Sequence, residues 1–153
     1  MGIDFIFVCA IAAAVMAGGY MALDMGLAMG PVILALAALP VCGLLLSRRN
    51  ITGAAPDMVF GSVDTGLLVI PAIFGGAMFG APGAIAGAVI GDSVTDALAG
   101  FFEGGVAQWL RDRGIVESRE AVATSLGKMA GCLAGSGLTL TLADLLGLGI
   151  GIV

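Results

Sequence analysis

PGAIAGAVIGDSVTDALAGFFEGGVAQWL, Pro82–Leu110, is an apolar stretch that carries three acids in its middle and second half. A helix crosses roughly 30 Å of hydrocarbon with about 20 apolar residues, so this stretch is long enough to span a membrane. At about 100° per residue, Asp92, Asp96 and Glu103 fall within about 40° of one another on one helix face. A carboxylate at the bilayer centre costs on the order of 3 kcal/mol by insertion scales. Three on one face, with Asp64 on the preceding apolar run, are too costly for lipid. That face has to meet protein, water or a cation.

The composition agrees with a membrane setting. The 153 residues are 59% hydrophobic and 11% charged, against about 25% charged in soluble domains, and the mean hydropathy is +1.13. The chain has too little charge to clothe a soluble surface, which predicts an all-α polytopic membrane protein with a single transmembrane domain over 1–153. All six basic residues fall in two clusters, Arg48 and Arg49, then Arg111, Arg113, Arg119 and Lys128. There is no basic tract for nucleic acid and no polybasic anchor, so the bulk partner is membrane lipid. Cys9, Cys42 and Cys132 are odd in number and set in apolar runs, as small core residues are. The absence of histidine removes the usual zinc, haem and proton-shuttle chemistry. No nucleophile–base pair, phosphate loop or hydrolase motif is present, so neither an enzyme nor an organic cofactor is expected.

Five apolar runs predict five transmembrane helices: Ile3–Leu23, Gly26–Ser47, Asp57–Gly80, Pro82–Leu110 and Glu120–Leu146. They divide into a two-helix part, 1–50, and a three-helix core, 57–150. The first run has Asp4 and no basic residue ahead of it, unlike a secretory signal, and reads as a transmembrane helix. The basic loops 48–56 and 111–120 are expected on the cytoplasmic side of a plasma (inner) membrane. Both termini are expected on the other side. Gly83, Gly87 and Gly91 repeat every fourth residue, as do Gly127, Gly131 and Gly135. Such repeats let helix backbones approach closely in lipid. They predict a Gly-rich, tightly packed bundle, and a homodimer whose interface uses these stripes.

The turn at Ala81 is so short that the third and fourth helices must form an antiparallel hairpin. Counting back from it sets residue 64 level with about residue 98, so Asp64 and Asp96 differ in depth by roughly 3 Å. Asp92 lies one turn from Asp96. Glu103 and Lys128 lie at matching depths from the second basic loop, as a gate or structural pair. Pro71 removes the amide that would bond the Leu67 carbonyl, one turn from Asp64. Ser62, Thr65, Ser93 and Thr95 add hydroxyls on the same two helices. A lone polar residue in a membrane helix is often packing glue worth about 0.6 kcal/mol, which does not account for three acids at one depth. The candidate metal ligands are therefore Asp64, Asp92 and Asp96, with Thr95, Ser93 and the Leu67 carbonyl. An all-oxygen set without nitrogen or sulphur suits Ca2+, Mg2+ or Na+. Asp4, Asp24, Asp57 and Asp144 sit near helix ends and are expected to be solvated or capping.

FGSVDTG at Phe60–Gly66, GDSVTD at Gly91–Asp96, AGFFE at Ala99–Glu103 and TSLGKMAG at Thr124–Gly131 occur in that order. Over about residues 58–140 the chain resembles the transmembrane protein 65 family, best known from the mitochondrial inner membrane. The resemblance implies sodium-dependent calcium extrusion, or the organising of partner membrane proteins, with Asp64, Asp96, Glu103 and Lys128 as the matching residues. Thr65 and Asp92 stand where the family has asparagine, the interval from Asp96 to Glu103 is shorter, and the first two helices have no counterpart. The absence of a presequence points to a prokaryotic plasma-membrane relative. The expectation is a Na+/Ca2+ antiporter with Ca2+ and Na+ as transported ions. The alternatives are a proton-coupled divalent-cation transporter, since adjoining carboxylates share protons, and a non-transporting membrane scaffold.

Overall fold

Gly80 sets the path of the chain. The computed structural model describes residues 2–49, 51–112 and 120–148, with the side chains at 52, 102–107 and 109–111 also outside the described set. Among the described residues every regular element is an α-helix: α1 (Gly2–Asp24), α2 (Met29–Leu36), α3 (Ala38–Leu46), α4 (Ile51–Asp112) and α5 (Ala121–Leu145). Within α4 only Gly80 departs from helical geometry, with φ 65° and ψ −152°, a region open to glycine and closed to L side chains. The chain reverses there, so that α4 is two antiparallel arms, 51–79 and 81–112. A Cβ built on Gly83 would strike the Gly75 carbonyl, and one on Gly87 the Pro71 carbonyl. The arms therefore touch backbone to backbone.

The five separate helices expected from the sequence are corrected to four, α2 and α3 counting as one interrupted helix. The third and fourth runs are one element, α4, and the second run is split into α2 and α3 at Ala37. Pro40 explains the split: it has no N–H for the Leu36 carbonyl, and its ring crowds that turn. Three stretches among the described residues are long and apolar enough to cross a membrane, Gly2–Asp24, Met29–Leu46 and Gly53–Phe101. α5 is not one of them, contrary to the expectation for Glu120–Leu146. Its position supplies the reason. α5 runs parallel to the first arm of α4, with Ala54 on Gly127, Met58 on Gly131 and Ser62 on Gly135, and Thr139 Oγ1 donates to the Gly66 carbonyl at 3.1 Å. Its other side meets α2, where Leu34 lies on Gly137 and Thr141 on Gly30. A helix packed against protein on both sides needs small residues more than lipid-facing ones.

Below these contacts Leu44, Ala54, Val122, Ala123 and Leu126 form a buried cluster, with Phe7, Val8 and Ile11 of α1 packed against it. Leu44 and Leu126 are fully buried. The parts 1–50 and 57–150 thus meet along α5.

Three further expectations change. The glycine stripes are occupied within the chain: Gly83, Gly87 and Gly91 face the first arm of α4, and Gly127, Gly131 and Gly135 also face it, from α5. The loops 48–56 and 111–120 are shorter than expected, because α4 already begins at Ile51 and extends to Asp112. Both termini were expected at the end opposite the basic loops, yet Asp4 at the start of α1 pairs with Arg49 at 3.3 Å. The chain leaves that end through α1 and returns through α2 and α3, so the amino-terminal end lies beside Arg49.

The turn after α3 is strained. Arg48 has φ 53°, where the ends of α1 and α5 place Gly26 and Gly147 at φ 65° and 67°. At all three ends the next residue's amide reaches five residues back, as Arg49 N does to Leu44 O at 3.1 Å, the pattern that favours glycine. Arg48→Gly is expected to stabilise the protein by about 1 kcal/mol, read as a higher melting temperature in detergent. An unchanged or lower value would show that the Arg48 side chain compensates the strain.

Candidate metal centre

The first arm of α4 is packed on two sides, and this places Asp64. Ala54, Met58 and Ser62 face α5, with Ser62 Oγ donating to Met58 O at 2.8 Å and Gly131 O at 3.1 Å. Leu68, Pro71 and Gly75 face the second arm, against Gly91, Gly87 and Gly83 respectively. Following that antiparallel register by one turn from Leu68 brings Asp64 opposite the interval between Asp92 and Asp96. One carboxylate oxygen from each of Asp64, Asp92 and Asp96 lies within 4.8 Å of the other two. The expected level of residue 64 was near 98; the reversal at Gly80 is tighter than the counted turn, and the register moves accordingly.

The three acids differ in surroundings. Asp64 is 8% exposed, and its buried Oδ1 has no hydrogen-bond partner. Asp92 and Asp96, on the second arm, are exposed. None of the three has an ion-pair partner among the described residues. An unpaired buried polar atom costs about 1–3 kcal/mol, more when charged. Three carboxylates at this spacing can share protons or hold a hard cation.

The other candidate ligands are placed unevenly. Thr95 is buried, and its Oγ1 donates to the Asp92 carbonyl at 3.2 Å, which leaves its lone pairs available. Thr95 and Asp64 line a cleft of about 240 Å³ together with Val63, Leu67 and Leu98. Leu67 is on that cleft, and Pro71 lies inside the helix four residues on, so its carbonyl has no helical amide to accept from. Ser93 is exposed and donates to Val89 O at 2.8 Å; it lies off the face shared by Asp92 and Asp96. Lys128 is exposed on α5. The Glu103 side chain lies outside the described residues, and so does the expected Glu103–Lys128 pair.

A second polar cluster has no counterpart in the sequence reading. Arg49 pairs through Nη2 with Asp4 and through Nη1 with Glu120, joining the starts of α1 and α5 to the entry of α4. The cluster borders a cavity of about 330 Å³ that Phe5 and Ser125 also line. No motif links residues so far apart; only tracing which helix ends share one side would have put Asp4 beside Arg49. Asp57, expected to be solvated or capping, is buried within α4 at 9% exposure.

Comparison with protein-family models, with curated proteins and with solved structures gives no significant match. The resemblance to the transmembrane protein 65 family therefore rests on the four motifs themselves.

Because Asp64 Oδ1 is buried without a partner, Asp64→Leu is expected to melt above the parent in the presence of a chelator, by an amount corresponding to about 1–3 kcal/mol. A variant that melts lower would show that Asp64 is already satisfied in the free protein.

Proposed function

We propose that this chain is an integral membrane cation transporter that binds Ca2+ at Asp64, Asp92 and Asp96 and exchanges it for Na+. The observation that carries the reading is the approach of three carboxylate oxygens to within 4.8 Å of one another across two arms of one apolar helix pair. A divalent ion there neutralises two of three negative charges and gives Asp64 Oδ1 a partner, which lowers the burial penalty. Ca2+ takes 6–8 oxygens in irregular geometry, whereas Mg2+ demands an octahedron and keeps its waters. Thr95 Oγ1 and the Leu67 carbonyl are additional oxygens of the right kind, from residues that line the same cleft as Asp64. Two or three Na+ competing for the same carboxylates supply a physical basis for antiport, and the resemblance over about residues 58–140 supplies the choice of this ion pair.

In this reading the Gly53–Phe101 stretch and the two amino-terminal helical stretches lie in the membrane. The end bearing Arg48 and Arg49 is cytoplasmic. Asp92 and Asp96, exposed on the single chain, cannot face hydrocarbon at an acceptable cost. A second copy covering the acidic side of the second arm makes the working unit a homodimer.

Purified protein in liposomes loaded with Na+ is expected to take up radiolabelled Ca2+ saturably. Asp64→Asn and Asp96→Asn are expected to abolish flux while the helical circular-dichroism spectrum persists. Uptake that ignores Na+ and collapses with a pH gradient would replace Na+ by protons. The absence of saturable uptake by folded protein would leave the scaffold reading.

A further inference from the structure

The acids converge only because the two arms of α4 meet at one separation and one register, and both are set one to two turns nearer the reversal. There the Pro71 carbonyl of the first arm lies on Gly87 of the second, and the Pro71 ring lies on Gly91. A Cβ at Gly91 would come to 2.7 Å from Pro71 Cγ and 3.1 Å from the Leu68 carbonyl, closer than packed carbons tolerate. Asp92 is the residue directly after Gly91, and Asp64 lies one turn before Leu68. Any wedge between Pro71 and Gly91 therefore moves Asp92 away from Asp64. From this contact we infer that Pro71 is a positioning residue, whose ring seated on Gly91 sets the spacing at which Asp64 meets Asp92 and Asp96.

Pro71 touches no ion in this role. It acts through the backbone of the second arm, whereas the proline's missing N–H acts on the Leu67 carbonyl of its own arm. The two effects separate by mutation. Gly91→Ala changes the contact and leaves the Leu67 carbonyl untouched. Pro71→Ala removes the ring and opens room for the added methyl, so Pro71→Ala in the Gly91→Ala background rebuilds the approach. Metal sites lose about 10- to 100-fold in affinity when supporting groups are disturbed, and that range is expected here.

The inference rests on the carboxylate site proposed above, so its test needs one readout that involves no ion. Phe60 and Ala99 line the same cleft from opposite arms. Phe60→Cys and Ala99→Cys in a chain without its native cysteines report arm separation by the rate of disulfide trapping. Gly91→Ala is expected to slow trapping and to weaken Ca2+ binding by about tenfold or more, and adding Pro71→Ala is expected to restore trapping, the readout that does not involve the Leu67 carbonyl. Failure of Gly91→Ala to fold while the double variant folds and traps supports the same conclusion. Trapping and binding unchanged by Gly91→Ala overturn it, as does a double variant that does not recover trapping or fails to fold. If the parent binds no Ca2+ while trapping follows the expected order, the positioning role stands and the ion assignment falls.

Discussion

A carboxylate inside an apolar helix pair has no solvent to disperse its charge, and the arrangement around Asp64 follows from that restriction. Asp64 is shut in by the first arm's contacts with α5 on one side and the second arm on the other. Its Oδ1 has no donor, and two more acids place carboxylate oxygens within 4.8 Å of its own. In water such a cluster would disperse; between helices held by backbone contact it cannot. A bound cation would relieve the arrangement, which is the physical basis of the ion exchange proposed here.

Holding acids at such close quarters demands rigid neighbours, and glycine provides them. α5 presents Gly127, Gly131 and Gly135 to Ala54, Met58 and Ser62, while the second arm presents Gly83, Gly87 and Gly91 to Gly75, Pro71 and Leu68. The first arm is thus clamped along two faces at four-residue intervals. In the proposed membrane setting lipid offers no hydrophobic drive for helix association, and dispersion at short range and hydroxyl bonds such as Ser62 to Gly131 O take that role. The ionic cluster of Asp4, Arg49 and Glu120 closes the bundle at one end, where α1, with few buried residues of its own, has little else to hold it.

Much of this was legible from residue types and spacing. Ala81–Pro82 after Gly80 announced a reversal, and counting along the arms brought Asp64 near Asp96 before any contact was known. The count erred by a few residues because a single glycine in an extended positive-φ conformation turns the chain more sharply than a linker does. Pro40 was in plain view, but its effect depended on whether neighbouring helices would hold the Leu36–Ala38 break open. The partners of the glycine stripes were not legible, since a small-residue face fits another arm of the same chain as well as a second copy. The Asp4–Arg49 contact was hidden for a different reason: it required the correct parity of helix ends, and long-range ion pairs leave no periodic trace.

The central claim is that Asp64, Asp92 and Asp96 share one cation. Anomalous scattering from crystals of the full chain grown in Mn2+, an ion that takes the same carboxylate oxygens, tests it most directly. The account predicts one peak bonded to oxygens of all three side chains, lost on addition of chelator. Ordered carboxylates that point apart, or that bond to lysine or arginine with no peak between them, would contradict it.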